Sequence, residues 1–527
     1  MGLPRPEQIV VGHPGESETR TAPLNAAPFE LDEVTVAELQ SSMGSGRYTA
    51  RRVVELYLER IAAMNLEGAA LRAIIETNPD ALGQADELDR ERKAKGARGP
   101  LHGIPVLLKD NIDTADRMTT TAGSLALEGS IARRDAHVAE RLRKAGAILL
   151  AKANMSEWAN IRSSRSSSGW SARGGQCRNP FVLDRNPCGS SSGSAAAVSA
   201  NFGTVAVGTE TDGSIVCPAS ATGVVGIKPT IGLVSRAGII PISHTQDTAG
   251  PLCRTVADAA ALLSALAGRD SRDPVTAAAS RRGKADYTRF LDPAGLKGAR
   301  IGVAREKFFG YSEVTDRLAD HALDVLRREG AVLVDPANIP NAGTYDRAEL
   351  EVLLFELKAD LNAYLAGLDR SVQVRSLADV IAFNERERDR EMPYFGQDLF
   401  IEAEAKGPLG SRGYRKSLAT CARLSRAQGI DAVMTRYRLD ALVAPTGNPA
   451  WPTDLVNGDH FTGSSSTPAA VAGYPNVSVP MGYAWGLPVN LSFFGVAWSE
   501  PTLIRLGYAY EQSTKHRKAP EFLKTLA

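Results

Sequence analysis

The chain has 527 residues, enough for a large core or several domains. Hydrophobic residues make up 43% and charged residues 23%, with 61 Lys and Arg against 60 Asp and Glu for a formal net charge of +1; this balance argues against nucleic acid or an anionic membrane as partner. No apolar run reaches the ~18 residues of a membrane span, and residues 1–30 hold no apolar secretory segment.

That N-terminal stretch is rich in Pro, Gly, Glu and Arg without a hydrophobic period, and reads as a tail over residues 1–30. From Val34 the pattern turns helical. Thr35 or Thr49 is placed to cap, and Val54, Leu58 and Ile61 share a face. Residues 79–97 predict a charged helix ending near Gly96. Residues 103–108 form a short apolar run between punctuating residues, as a buried strand would. Residues 136–145 then predict a helix and 147–151 a strand, and this alternation marks an α/β fold. Residues 162–194 are Ser-, Gly-, Arg- and Pro-rich. They sit between closely spaced elements, which favours a structured functional loop over a linker. A helix start at 194–198 and a strand at 205–207 follow. Past about residue 275 the chain is more charged, with helical patterns over 314–330, 346–367 and 376–440. Strands return at 441–444, 477–480 and 489–493. The sum is one α/β domain over residues 31–527 with a helical insertion at about 310–440.

The five cysteines, Cys177, Cys188, Cys217, Cys253 and Cys421, include no C-x-x-C pair. They predict no disulfide framework and fit a reducing compartment, so a cytoplasmic location is expected, with processing before residue 1 left open.

Two segments are dense in chemistry. Pro187-Cys-Gly-Ser-Ser-Ser-Gly-Ser194 sets three serines between glycines ahead of a helix, and Gly208-Thr-Glu-Thr-Asp-Gly-Ser-Ile215 follows a strand. Glycine permits strained turns, and successive N–H groups at such a turn can converge on an oxyanion. Each segment alone also reads as a plain Gly/Ser turn. Lys109 ends the apolar run, where desolvation would lower its pKa and make it a base; alone, a lysine snorkelling to the surface explains it as well.

Taken together, Gly103-Ile-Pro-Val-Leu-Leu-Lys109-Asp110, Cys188-Gly-Ser-Ser-Ser-Gly-Ser194, Gly213-Ser-Ile215 and Gly223-Val-Val-Gly-Ile-Lys-Pro-Thr230 resemble the amidase-signature family, from about residue 34 to the C-terminus. The resemblance implies a mixed central β-sheet covered by helices on both faces, with a signature core at about 103–260. It implies a Ser–cis-Ser–Lys triad: Ser214 as nucleophile, Ser190 as relay and Lys109 as base. The backbone N–H groups of Thr211, Asp212, Gly213 and Ser214 match the family's oxyanion hole, and Ser191 and Thr209 its supporting hydroxyls. The chain departs from the common Asp-x-Gly-Gly-Ser form, with Glu210-Thr-Asp212-Gly-Ser214, and has Val216 where many members have arginine. The support of that turn is therefore open, and Asp212 brings a carboxylate close to the chemistry.

The motif forms look most like the peptide amidase branch, which removes peptide C-terminal amides; aryl acylamidases, esterases and carbamate hydrolases share the family. The expected partner is a small-molecule or peptide amide, and the expected state a monomer or homodimer. No metal or organic cofactor is implied. Trp158, Asn160, Asp212 and Trp451 are candidate substrate-binding residues, though packing or a turn explains the tryptophans and Asn160 equally well. The loops 155–176 and 445–470, with the insertion, would set substrate choice. Two rivals remain. Gly189-Ser-Ser191-Ser-Gly193 also satisfies the nucleophile-elbow pattern of an α/β-hydrolase, with Ser191 as nucleophile and His460 or His516 as base. A partner-dependent amidotransferase component is the other.

Overall fold

The computed structural model describes residues 28–283 and 286–526. Most of the expected tail over 1–30 lies outside these residues. Both threonines cap: Thr35 forms a capping box with Glu38 on the helix Val36–Gly44, and Thr49 accepts from the Arg52 N–H on Ala50–Met64. The second helix buries Val53, Val54, Tyr57 and Ile61 on one side. The charged stretch is the helix Ala81–Lys95, ending at Gly96 with φ 81°.

The described residues form thirteen strands, in chain order β1 (Ile74–Thr77), β2 (Pro105–Lys109), β3 (Ile148–Ala153), β4 (Trp170–Ser171), β5 (Gly175–Gln176), β6 (Val205–Glu210), β7 (Val225–Lys228), β8 (Thr248–Cys253), β9 (Arg300–Val303), β10 (Val332–Val334), β11 (Ala441–Pro445), β12 (Asn476–Ala484) and β13 (Leu487–Phe494). Eleven make one sheet in the order β1-β3-β2-β6-β8-β7-β12-β13-β11-β9-β10, while β4 and β5 pair separately. The sheet is mixed: β3, β2 and β6 are parallel, as are β11, β9 and β10, and the other neighbours are antiparallel. Helices flank it. Every residue of β2, β3 and β6 is buried, which explains why each carries a short apolar run. No helix among the described residues is long and apolar enough to cross a membrane.

Parallel pairing of β2 with β6 places Leu108 opposite Val207. Both strands therefore end at the same edge, where Lys109 meets Thr209 and Glu210, and open sheets of this kind bind ligands at such carboxyl ends.

The expected insertion at 310–440 needs correction. Its first part, the helix Glu313–Arg328 and β10, is a crossover that extends the sheet beside β9. β10 escapes sequence reading because it is a three-residue edge strand with Val332 exposed. The helical cover begins with the helix Asp346–Ala366. Its Leu354, Leu357, Leu361 and Leu365 pack in one cluster with Met155, Trp158 and Phe400.

Candidate active site

Lys109 is fully buried at the end of β2. Its Nζ lies 2.7 Å from Ser190 Oγ, 2.8 Å from Thr209 Oγ1 and 3.2 Å from the Thr209 carbonyl oxygen. No carboxylate is close enough to form an ion pair with it among the described residues, and burial lowers its pKa from the ordinary 10.5 to about 7. A lysine so lowered is available in neutral form near neutral pH, as a base requires.

Ser190 follows a cis peptide bond from Gly189. Ser191 ties three segments together: its N–H donates to the Ser214 carbonyl at 3.1 Å, its hydroxyl donates to the Thr209 carbonyl at 2.9 Å, and the same hydroxyl accepts from the Thr209 N–H at 3.1 Å. Gly208 leaves room for this, since a Cβ there would lie 2.8 Å from Ser191 Oγ. The structure thus gathers Lys109, Ser190, Ser191, Thr209 and Ser214, with Ser214 9% exposed and the others more deeply placed.

The expectation of no disulfide needs correction. Cys188 and Cys217 form a disulfide, while Cys177, Cys253 and Cys421 are free and buried. The partners lie 29 residues apart in sequence, two before Ser190 and three after Ser214. Only the meeting of the two serine turns brings them together, so no local spacing could reveal the bond.

The turn at Ser214 has its own support. Glu210 Oε1 accepts from the Gly213 N–H at 3.0 Å, and Oε2 accepts from the N–H groups of Ile215 at 2.7 Å and Val216 at 3.0 Å. One buried carboxylate therefore supplies the support that the departure at Val216 left open. Gly213, with φ 76°, takes a conformation that favours glycine. The expected oxyanion-hole set loses one member here, because the Gly213 N–H is engaged by Glu210. Thr211, Asp212 and Ser214 remain as candidate donors.

Asp212 is placed otherwise than as a substrate-binding residue. Its carboxylate does not stand free for a substrate: Oδ1 accepts from Ser466 Oγ at 2.5 Å and Oδ2 from Thr467 Oγ1 at 2.6 Å, and burial raises its pKa. It pins the turn to the 445–470 loop.

A cavity of about 480 Å³ opens at Asn111, Thr209 and Thr211, with Ala159, Ile240, Pro241 and Tyr364 in its wall. Trp158 lines a smaller hollow that shares Asn111 and Ala159. Trp158, Ala159 and Asn160 all have positive φ, at 48°, 56° and 75°, backbone strain of the kind that collects at functional sites. Asn160 Nδ2 donates to Ser168 Oγ at 3.1 Å. Trp451 is placed differently, packed in a cluster with Phe181, Cys188 and Cys217, its Nε1 donating to Asp459 at 3.1 Å. Asp459 also accepts from the Ser168 N–H and from Asn186 Nδ2, so it joins the two loops expected to set substrate choice. The role of Glu210, Asp247 on the cavity wall and Asp459 lie beyond the sequence reading. A carboxylate at the end of a buried strand is the one local signal, and it points to Glu210.

The Amidase family model matches residues 52–504. The chain belongs to the amidase family. This amidase is 46% identical over 507 residues to a probable amidase of Arabidopsis thaliana, covering 94% of this chain and 93% of the relative. The native peptide amidase of Stenotrophomonas maltophilia shares 53% sequence identity and a TM-score of 0.90, over 94% of this chain and 100% of that one. A putative amidase of Schizosaccharomyces pombe is 36% identical over 553 residues, 98% of this chain and 91% of the relative. The amidase is an enzyme that hydrolyses amide carbon–nitrogen bonds. The α/β-hydrolase alternative falls with this. The Ser191 hydroxyl is committed to Thr209, His460 is exposed, and burial drives the His516 pKa down to about 4 beside Tyr510.

Proposed function

We propose that the amidase removes the C-terminal amide of peptides through a Ser214–Ser190–Lys109 relay. The observation that carries this is the buried Lys109 amine, 2.7 Å from Ser190 Oγ and with a pKa of about 7. Neutral Lys109 takes the Ser190 proton as Ser190 takes that of Ser214, and Ser214 Oγ attacks the amide carbon. A serine hydroxyl needs such a base to become nucleophilic. The candidate N–H donors of Thr211, Asp212 and Ser214 face the charge that develops on the carbonyl oxygen. The Lys109 ammonium returns the proton through Ser190 to the leaving nitrogen, the C–N bond breaks and ammonia departs. Water then repeats the sequence on the acyl-enzyme and releases the acid. The likeness to peptide amidase supports the substrate class.

The test is product release by the purified chain. Peptide C-terminal amides and a free side-chain amide are assayed for ammonia, and an aryl anilide and an aryl carbamate for the aryl amine or alcohol. Peptide amides are expected to give ammonia, and Ser214→Ala to abolish it with the fold intact. Cleavage of only the anilide or carbamate would overturn the substrate class, and substantial turnover by Ser214→Ala would overturn the nucleophile.

A further inference from the structure

Charges on the cavity wall are paired almost throughout. Arg236 is bound to Asp273 at 2.5 Å, His244 to Asp360 at 2.8 Å, and Arg272 to Glu140 at 2.9 Å and Asp270 at 3.3 Å. Asp247 is the exception: among the described residues its carboxylate has no ion-pair partner. Its Oδ1 accepts from Thr211 Oγ1 at 2.6 Å, and its Oδ2 accepts from the N–H groups of Ile242 and Ser243 at 2.8 Å each. The same Thr209–Thr211 segment also reaches Lys109, the buried amine, which among the described residues likewise has no ion-pair partner. Lys109 is bound to Thr209, and Thr209, Thr211 and Asp247 share the cavity wall.

We propose that Asp247 is a positioning residue that acts as the counter-charge of Lys109 and anchors the Thr211 turn through its hydroxyl. The proposal rests on the reading of Lys109 as the base. Proton transfer turns Lys109 from an amine into an ammonium inside a low-dielectric core, where a fixed carboxylate matters far more than in water. Asp247 is placed to stabilise that ammonium without forming a direct ion pair, which would keep the lysine protonated at rest. Other charges facing this point are already committed. Glu210 is bound to three backbone N–H groups, and Arg236, which also acts on Asp247, is held by Asp273. In agreement, Asp247 is the foremost charge raising the Lys109 pKa against the effect of burial, while burial lifts its own pKa to about 6.

A negative Asp247 makes Lys109 hold its proton more tightly, so removing the charge lets Lys109 lose it at lower pH. The acid limb of kcat/KM, set by protonation of the free enzyme's base, should then move down.

The experiment compares pH profiles of ammonia release for the parent, Asp247→Asn, Asp247→Glu, Thr211→Val and Lys109→Met. Asp247→Asn is expected to shift the acid limb down by about one pH unit and to lower the plateau about tenfold. Asp247→Glu, which keeps the charge, should leave the limb near its parent position even where its turnover is reduced. Thr211→Val loses the hydroxyl but keeps the charge, so it should lose rate without shifting the limb. An unmoved limb in Asp247→Asn, or equal shifts in Asp247→Asn and Asp247→Glu, would overturn the counter-charge role. Lys109→Met separates the two failures: if it keeps the parent's limb, the base assignment itself is wrong.

Discussion

Lys109 is a strongly hydrated cation in water and an amine of pKa about 7 in this core. Two expectations follow at the scale of this one residue. First, kcat/KM of the parent should fall tenfold per pH unit below about pH 7, as protonation removes the base; a flat profile from pH 8 to pH 5 would rule out a neutral lysine. Second, the same shift has a consequence for stability. Between about pH 7 and its ordinary value of 10.5 the unfolded chain holds a proton on Lys109 that the folded chain has lost. Stability therefore rises with pH across that window. Lys109→Met removes this dependence, so its stability advantage over the parent should be greatest near pH 7 and shrink towards pH 10. Urea midpoints of the two proteins across that range give the answer. A difference that does not change with pH would contradict the lowered pKa independently of any kinetics.

At the scale of elements, the site is two turns and a strand end held by one carboxylate and one disulfide. Glu210 ends β6 and folds back on the turn it precedes, gathering three N–H donors on two oxygens. Glu210→Gln keeps the size but leaves one oxygen, and sets an amide NH2 against backbone N–H groups. The turn that presents Ser214 should then lose its shape, and kcat should fall ~100-fold, the scale of losing an oxyanion-hole donor, with KM little changed. Parent-like kcat in this variant would show that the turn stands without the carboxylate. The same elements show what a sequence can reveal. β2 is legible because five buried residues in a row leave an apolar run that ends in Lys109, and the serine turns are legible because strained turns need glycine. The Cys188–Cys217 bond, the engagement of Asp212 with Ser466 and Thr467, and the place of Asp247 are not legible. Each joins segments separated by 29 to 255 positions, a relation fixed by sheet order rather than by any local pattern. β10 is hidden for a different reason: an exposed edge strand of three residues has no apolar period to read.

Across the whole molecule, the cover is fastened to the 155–176 loop, which is braced by a buried ion pair of its own. Arg162 Nε lies 2.9 Å from Glu157 Oε1, and both side chains are fully buried. The guanidinium also lies 4.3 Å from the Phe395 ring centroid, and NH1 donates to the Phe395 carbonyl at 3.3 Å. Asp398 accepts from the hydroxyls of Ser163 and Ser164, and Ser124 is bound to Glu391. Segment 391–398 is thus tied to the loop that carries the strained residues Trp158 to Asn160. Removing one partner of a buried pair leaves the other charge uncompensated, which costs about 3–5 kcal/mol, whereas removing both is far milder. Arg162→Met should therefore lower stability by about that amount, and adding Glu157→Gln should restore much of it. If the loop shapes the cavity, the single variant should also raise KM for peptide amides more than it lowers kcat. Denaturant unfolding of the two singles and the double closes the cycle. Additive losses would mean that Arg162 and Glu157 act separately.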